Sequence, residues 1–140
     1  KEYPRHLLGI GEIDDVFECV SRGVDMFDCV MPSRLARHGG LLVAPDSGGK
    51  KENKYRIAIK NSEFRTDENP IDASCKCDTC KQYSRKELNR LYRSSDIAER
   101  HRFGSFGTYH NMFFMNNLFK TIRESIKNKE FEGLKKQWLR

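Results

Sequence analysis

Cys75-Lys76-Cys77-Asp78-Thr79-Cys80 places three thiols within six residues. A C-x-C-x-x-C spacing lets three thiolates converge on one ion from a single tight loop. Zinc takes four ligands, commonly Cys and His, in a tetrahedron, so a fourth must come from elsewhere in the chain. His110 is the leading candidate, because it stands at the start of a long apolar-periodic segment, where a helix first turn aims an imidazole rigidly. His101 is its rival. A site with four protein ligands has no open position and is structural. Two other readings stand beside the metal: a disulfide, or plain buried thiols. Cys75 and Cys77 are one residue apart, which suits disulfide geometry badly, since the Cβ vectors must face each other.

Working outward, the composition bounds the rest. The chain has 140 residues, the size of one domain. It is 37% hydrophobic and 33% charged, which allows a core but a lean one. The net charge of +6 points to a polyanionic partner or to solubility alone. No apolar run approaches membrane-spanning length, and no secretory signal is visible. Metal-type cysteine spacing without an export signal implies a reducing, cytoplasmic setting. The cysteine count is odd, at five, and Cys19 reads as a small buried hydrophobe. A first residue of Lys rather than Met raises the expectation of a fragment.

Upstream, Arg5 to Gly11 (R-H-L-L-G-I-G) reads as a buried strand closed by a tight turn. Its lone G-x-G is only a weak phosphate signal. Ile13, Val16, Phe17, Val20 and Val24 follow at helical spacing, with Asp14 and Asp15 where negative charge suits a helix N-terminus and Gly23 placed to end it. Val24 to Pro32 is a second short apolar strand, ended by proline. Strand, helix and strand in that order form a βαβ unit with parallel strands. Asp28 stands inside the second strand. A carboxylate there is costly unless it is paired or used, so it either braces a neighbour or does chemistry. Ser33 to Gly40 reads as a loop leaving the strand's C-terminal end, where α/β folds bind ligands. Its Arg34 and Arg37 are either phosphate contacts or solvated side chains.

Downstream, Leu41–Ala44 and Tyr55–Lys60 read as strands flanking a mobile, turn-rich loop at Pro45–Lys54. Asn61–Ser74 is polar and irregular. Ser84–Arg93 is helical, with Leu88 and Leu91 inward. Ser94–Thr108 is poorly periodic, and Gly104 and Gly107 predict a break. Met112, Met115, Phe119, Ile122 and Ile126, widened by Leu118, predict a long amphipathic helix. Phe131, Leu134 and Trp138 predict a short closing one.

R-G-V-D-M-F-D-C-V-M-P-S-R-L-A-R-H-G from Arg22, C-K-C-D-T-C from Cys75, S-R from Ser84 and Y-H-N from Tyr109 form a specific combination. On these motifs the chain resembles the C-terminal part of tRNA-guanine transglycosylases, the queuine tRNA-ribosyltransferases, over nearly its whole length. The resemblance implies an α/β fold: the C-terminal portion of a (βα)8 barrel with an inserted zinc-binding subdomain. Residues 1–38 would hold the last two strands with their helix and catalytic loop, 39–108 the zinc subdomain, and 109–140 the closing barrel helix and C-terminal helix. It implies one structural zinc on Cys75, Cys77, Cys80 and His110, a covalent nucleophile at Asp28, base packing at Leu8, Gly9 and Gly11, and anticodon contacts from Arg34 and Arg37. The implied reaction exchanges guanine at the wobble position of tRNA for queuine or a 7-deazaguanine precursor, through an Asp–ribose intermediate on a base turned out of the stack. Implied partners are tRNA, the incoming base and a second subunit in a homo- or heterodimer, with no membrane.

Two departures stand out. The earlier barrel strands, which in the family carry the aspartates that recognise the base, are absent, so this chain alone is expected to be inactive. The gap from Cys80 to His110 is longer than usual for the family. Two further readings compete with an enzyme: a non-catalytic zinc-bearing partner subunit, which would lack a carboxylate at position 28, and a stand-alone RNA-binding zinc module.

Overall fold

The computed structural model describes residues 2–139. β1 (His6–Leu8), α1 (Ile13–Ser21) and β2 (Met26–Asp28) come first, and the two strands pair in parallel with Leu8 opposite Asp28. α2 (Met31–Arg37) follows, then β3 (Gly40–Leu42) paired antiparallel with β4 (Arg56–Ala58). A short 3₁₀ turn at Pro45–Ser47 lies between β3 and β4, and a second at Ser62–Arg65 leads to α3 (Asp78–Gln82), α4 (Arg85–Arg93), α5 (Ile97–Lys127) and α6 (Phe131–Trp138).

β3 is the strand that divides the core. Successive side chains on a strand point to opposite faces, and both Leu41 and Leu42 are fully buried. Leu42 joins Ile13, Phe17, Phe114 and Leu118 on one side. Leu41 joins Ile59, Leu88, Leu91 and Phe103 on the other. Burying each leucine contributes about 1.5–3 kcal/mol. α5 is long enough to pass both clusters, supplying Phe103 to one and Phe114 and Leu118 to the other. Local chemistry sets the remaining helix ends. Ser84 and Glu87 form a capping box on α4, Asp96 accepts from the Ala98 N–H at the start of α5, and Gly23 takes a left-handed φ of 91° after α1.

Several expectations are corrected. The predicted break at Gly104 and Gly107 is absent, and α5 runs continuously through both. Gly107 serves tertiary packing instead. A Cβ there would crowd Leu41 Cδ2 at 3.1 Å and meet Ala36 Cβ in ordinary contact at 3.5 Å, so its lack of a side chain lets Leu41 of β3 approach the helix. Ser33–Gly40 is mostly helix rather than loop. Pro32 begins α2 as much as it ends a strand, since a missing N–H costs nothing in a first turn. On α5, Met112 and Ile126 face outward, at 43% and 49% exposed, while Phe114, not in the predicted stripe, faces in. The Pro45–Lys54 stretch is a structured loop: Gly49 N–H donates to Ala44 O, Tyr55 N–H to Lys50 O, and Asn53 caps both Lys50 N and Tyr55 N. Tyr55 keeps a left-handed φ of 56°, with its ring buried and its hydroxyl donating to Trp138 O.

The parallel pair is not buried as predicted. Phe27 packs on Phe119 of α5, with ring centroids 5.4 Å apart. The opposite face, with Leu8, Met26 and Asp28, is open, and Leu8 is 68% exposed. Parallel sheets are stable when both faces are covered, and two strands alone are marginal. The isolated 140-residue chain is therefore expected to self-associate or aggregate through this face. Analytical ultracentrifugation checks this: a cooperatively melting, monodisperse monomer would contradict it.

Candidate metal centre and reactive face

The metal-type loop is held before it reaches the metal position. Asp72, 1% exposed, accepts from Ala44 N–H just past β3 and from both the N–H and the hydroxyl of Ser74. Its own carbonyl accepts from Cys75 N–H. Cys77 then caps α3, its sulfur accepting from Cys80 N–H. Thr79 Oγ1 donates to Phe106 O and docks α3 on α5. All five cysteines are free, so the disulfide reading falls.

His110 is fully buried in the middle of α5, not in a first turn as predicted. Its Nδ1 lies 3.7, 3.5 and 3.3 Å from the sulfurs of Cys75, Cys77 and Cys80. All four donor atoms lie within 4.8 Å of one another. A tetrahedral zinc with bonds of about 2.3 Å to sulfur and about 2.0–2.1 Å to nitrogen holds those atoms about 3.5–3.6 Å apart. The donor set and its spacing fit zinc. His101, the rival ligand, is exposed and outside the cluster.

The same closeness couples the four groups electrostatically. The hydrogen bond from Cys75, joined by one from Cys80, holds the Cys77 thiol far below the usual thiol range. Cys75 and Cys77 push Cys80 above it. Burial works to lower His110, and hydrogen bonds to Cys75 and Cys77 outweigh it, raising its pKa to about 9. The three thiols and the imidazole therefore titrate as one coupled group, as the close approach of their donor atoms requires. His110 Nε2 reaches Leu42 O at 2.8 Å, so its N–H donates there and Nδ1 faces the sulfurs. That carbonyl fixes the ring as outer partners of metal-bound histidines do.

Next along α5, Asn111 is also fully buried. Its Oδ1 accepts from Leu42 N–H at 2.9 Å, and its Nδ2 donates to Pro32 O and Gly40 O, both at 3.0 Å. Sequence reasoning assigned neither Asp72 nor Asn111 a role. The available signals were an Asp two residues before Ser74 and an uncharged polar residue on the buried face of an apolar helix.

The second cluster of candidates lies on the open face of the parallel pair. Asp28 ends β2, exposed, with Leu8 directly across from it. The Asp28 carbonyl accepts from Gly9 N–H at 2.7 Å, while its carboxylate has no partner among the described residues. It therefore braces no arginine there. Gly9 has a φ of 76° and open space where a Cβ would be. Gly11 is different: a Cβ there would meet Cys29 Sγ at 2.8 Å, so it is a packing glycine. Arg34 and Arg37 are exposed on α2, which buries Pro32 and Ala36 on its other side. The structure thus brings Leu8, Gly9 and Asp28 together and sets the two arginines on the next element.

A mixed α/β chain with a zinc-type Cys3His cluster beside a parallel β-α-β unit is the class that fold and site define. Residues 1–140 match the family described as Queuine tRNA-ribosyltransferase, and the chain belongs to that family. A Roseiflexus sp. queuine tRNA-ribosyltransferase is 43% identical over 136 residues, covering 97% of this chain and 32% of that protein. One from Thermodesulfovibrio yellowstonii is 39% identical over 139 residues, covering 99% of this chain and 33% of that protein. A relative in Archaeoglobus fulgidus whose name carries the same term is 48% identical over 139 residues, covering 99% and 34%. The chain spans about a third of the length of these curated relatives. No helix among the described residues is long and apolar enough to cross a membrane.

Proposed function

We propose that this chain is the C-terminal part of a tRNA-guanine transglycosylase, a pentosyltransferase that exchanges guanine at the anticodon wobble position for queuine or a 7-deazaguanine precursor. The observation that carries the reading is Asp28: an exposed carboxylate without a partner among the described residues, at the C-terminal end of a parallel strand. Catalytic groups of (βα)8 barrels sit at that end. In this reading residues 1–38 supply the last two barrel strands and their helix, 39–108 the zinc subdomain and 109–140 the closing helices. α5 crosses the last boundary without interruption and joins the two parts stiffly. The open face of β1 and β2 is the barrel interior, covered by strands this chain does not contain.

The Asp28 carboxylate attacks the ribose anomeric carbon of the turned-out nucleotide. The glycosidic bond breaks, and its electron pair leaves with guanine. The incoming base then bonds to the same carbon, and Asp28 departs as a carboxylate. Leu8 and Gly9 flank the base, while Gly11 keeps the strand end close against Cys29. Cys75, Cys77, Cys80 and His110 would hold one structural zinc, which would order the subdomain. The setting is reducing and cytoplasmic, and the complete enzyme works as a homo- or heterodimer. A non-catalytic zinc-bearing partner subunit has no use for the carboxylate at position 28, and a stand-alone zinc module has none for the parallel strands.

Incorporation of labelled guanine into tRNA by the complete protein tests the reading, and no incorporation would overturn it. Arg34 and Arg37 provide a second check. Their joint replacement by Ala is expected to weaken tRNA binding and to flatten its salt dependence by roughly one unit of slope per lost phosphate contact. An unchanged slope would remove them from the RNA interface.

A further inference from the structure

We propose that Asn111 is a positioning residue for RNA recognition: it locks α2, and with it Arg34 and Arg37, to the helix that carries the metal ligand His110. The inference rests on the transglycosylase reading for what α2 does. Its structural part rests on contacts internal to the chain, which hold whatever covers the outer surface.

Asn111 uses three of its hydrogen-bonding positions on three backbone groups from two segments. Its amide donates to Pro32 O and Gly40 O and its oxygen accepts from Leu42 N–H. Pro32 lies in the first turn of α2, whose outward positions are Arg34 and Arg37. Gly40 and Leu42 are the ends of β3. A fully buried amide with this pattern accepts little displacement, because moving α2 strands buried donors and acceptors together.

Its neighbour carries the link to the metal. His110 Nε2–H donates to Leu42 O, so the N–H and the carbonyl of Leu42 are both held by consecutive residues of α5. The His110 Nδ1 faces the three sulfurs. The metal ligands, the end of β3 and the first turn of α2 therefore share one hydrogen-bonded unit. One helical turn before Asn111 on the same face, Gly107 faces both elements: a Cβ there would crowd Leu41 Cδ2 of β3 at 3.1 Å and meet Ala36 of α2 in ordinary contact at 3.5 Å.

The experiment is a double-mutant cycle in the complete protein, with tRNA binding and guanine exchange as readouts. Asn111→Ala is expected to raise the KM for tRNA about tenfold, inside the ~10²-fold that a misplacement of about 1 Å can cost. The KM for free guanine should stay unchanged, with about one zinc retained per folded chain. In an Arg34→Ala, Arg37→Ala background the same change should add almost nothing, because its effect runs through those side chains. Full additivity in that background would overturn the inference, as would an unchanged KM for tRNA. Gly107→Ala provides a variant that does not leave buried polar groups unpaired. Alanine favours the helix, and its methyl presses on Leu41 Cδ2 of β3 at 3.1 Å while meeting Ala36 at an ordinary 3.5 Å, so α2 stays in place. An unchanged KM for tRNA in that variant is expected, and a rise as large as that of Asn111→Ala would overturn the proposal, since any disturbance of the α5–β3 contact would then suffice. If the unmodified protein shows no exchange and no salt-dependent tRNA binding, the functional reading fails. If it shows both and the cycle is additive, only the positioning role fails.

Discussion

Asp28→Asn in the complete enzyme is expected to abolish base exchange, by about 10⁴-fold or more, as loss of a covalent nucleophile does. Fold and most tRNA affinity should survive. The geometry separates the two effects. The strand register at this point is carried by the backbone, through Gly9 N–H to Asp28 O, and the carboxylate itself holds no partner among the described residues. An amide of the same shape therefore removes no native contact, and an exposed change of this kind shifts stability by about 0.5 kcal/mol or less. What it removes is the negative charge that bonds to the anomeric carbon. Asp25 provides the contrast. Its carboxylate accepts from Arg5 N–H at 2.8 Å, just before β2, so its work is structural. Asp25→Asn keeps an acceptor oxygen and should retain exchange. The decisive measurement is denaturing electrophoresis of enzyme incubated with tRNA and a guanine-competitive ligand that blocks turnover. An adduct with the wild type and none with Asp28→Asn is expected. An adduct of equal yield in the variant would place the nucleophile elsewhere.

What the sequence made legible follows the range of the physics involved. Cys75, Cys77 and Cys80 could be read together because their convergence is local: a few residues of loop suffice to bring three sulfurs within reach of one ion. His110 was chosen over His101 correctly but for an incomplete reason. A helical position was right, a first turn was wrong, and what selects His110 is the carbonyl of Leu42 on a distant strand. Gly107 misled for the same cause. Its intrinsic effect is to weaken a helix, and its actual use is contact with Leu41 and Ala36, which no local window contains. Pro32 stands at a strand's end and a helix's start at once, and composition favoured only the first. The burial expected of Leu8 and Met26 was a statement about neighbours. Their apolar character is plain in the sequence, but no surface among the described residues covers them. Asn111 was quoted as part of Y-H-N and given no role, since its value lies in three backbone groups, each remote along the chain.

Removal of zinc is expected to have the largest effect on the fold. Cys80→Ser, or exhaustive chelation, should unfold the region from Asp72 to Gln82 and loosen the centre of α5 with it. The expectation follows from what the metal balances. Three sulfurs converge on one buried imidazole, and Cys77 and Cys80 are driven in opposite directions from the usual thiol range by their mutual hydrogen bonds with Cys75. With zinc bound, one divalent cation coordinates all three thiolates and offsets two of their three negative charges. Without it, charge and protons must be shared among groups that burial penalises. Structural zinc sites contribute apparent binding energies of about 10–16 kcal/mol in small zinc-dependent folds, comparable to the whole stability of a domain. The lean core makes the dependence sharper here. α3 has five residues and buries only Thr79, so apart from the metal it rests on α5 through little more than the Thr79 to Phe106 hydrogen bond and the Tyr83–Phe106 ring stack. The loosening should spread along a defined route. Freed from the sulfurs, His110 no longer holds its ring against Leu42 O, and amide protection should fall at β3 and around residues 107–115 of α5. Elemental analysis of carefully prepared protein should give about one zinc per chain. Hydrogen exchange before and after chelation should show the two regions losing protection together. Protein that contains no metal, or a chelated protein whose α3 and β3 amides stay protected, would mean that packing alone holds the four side chains in place.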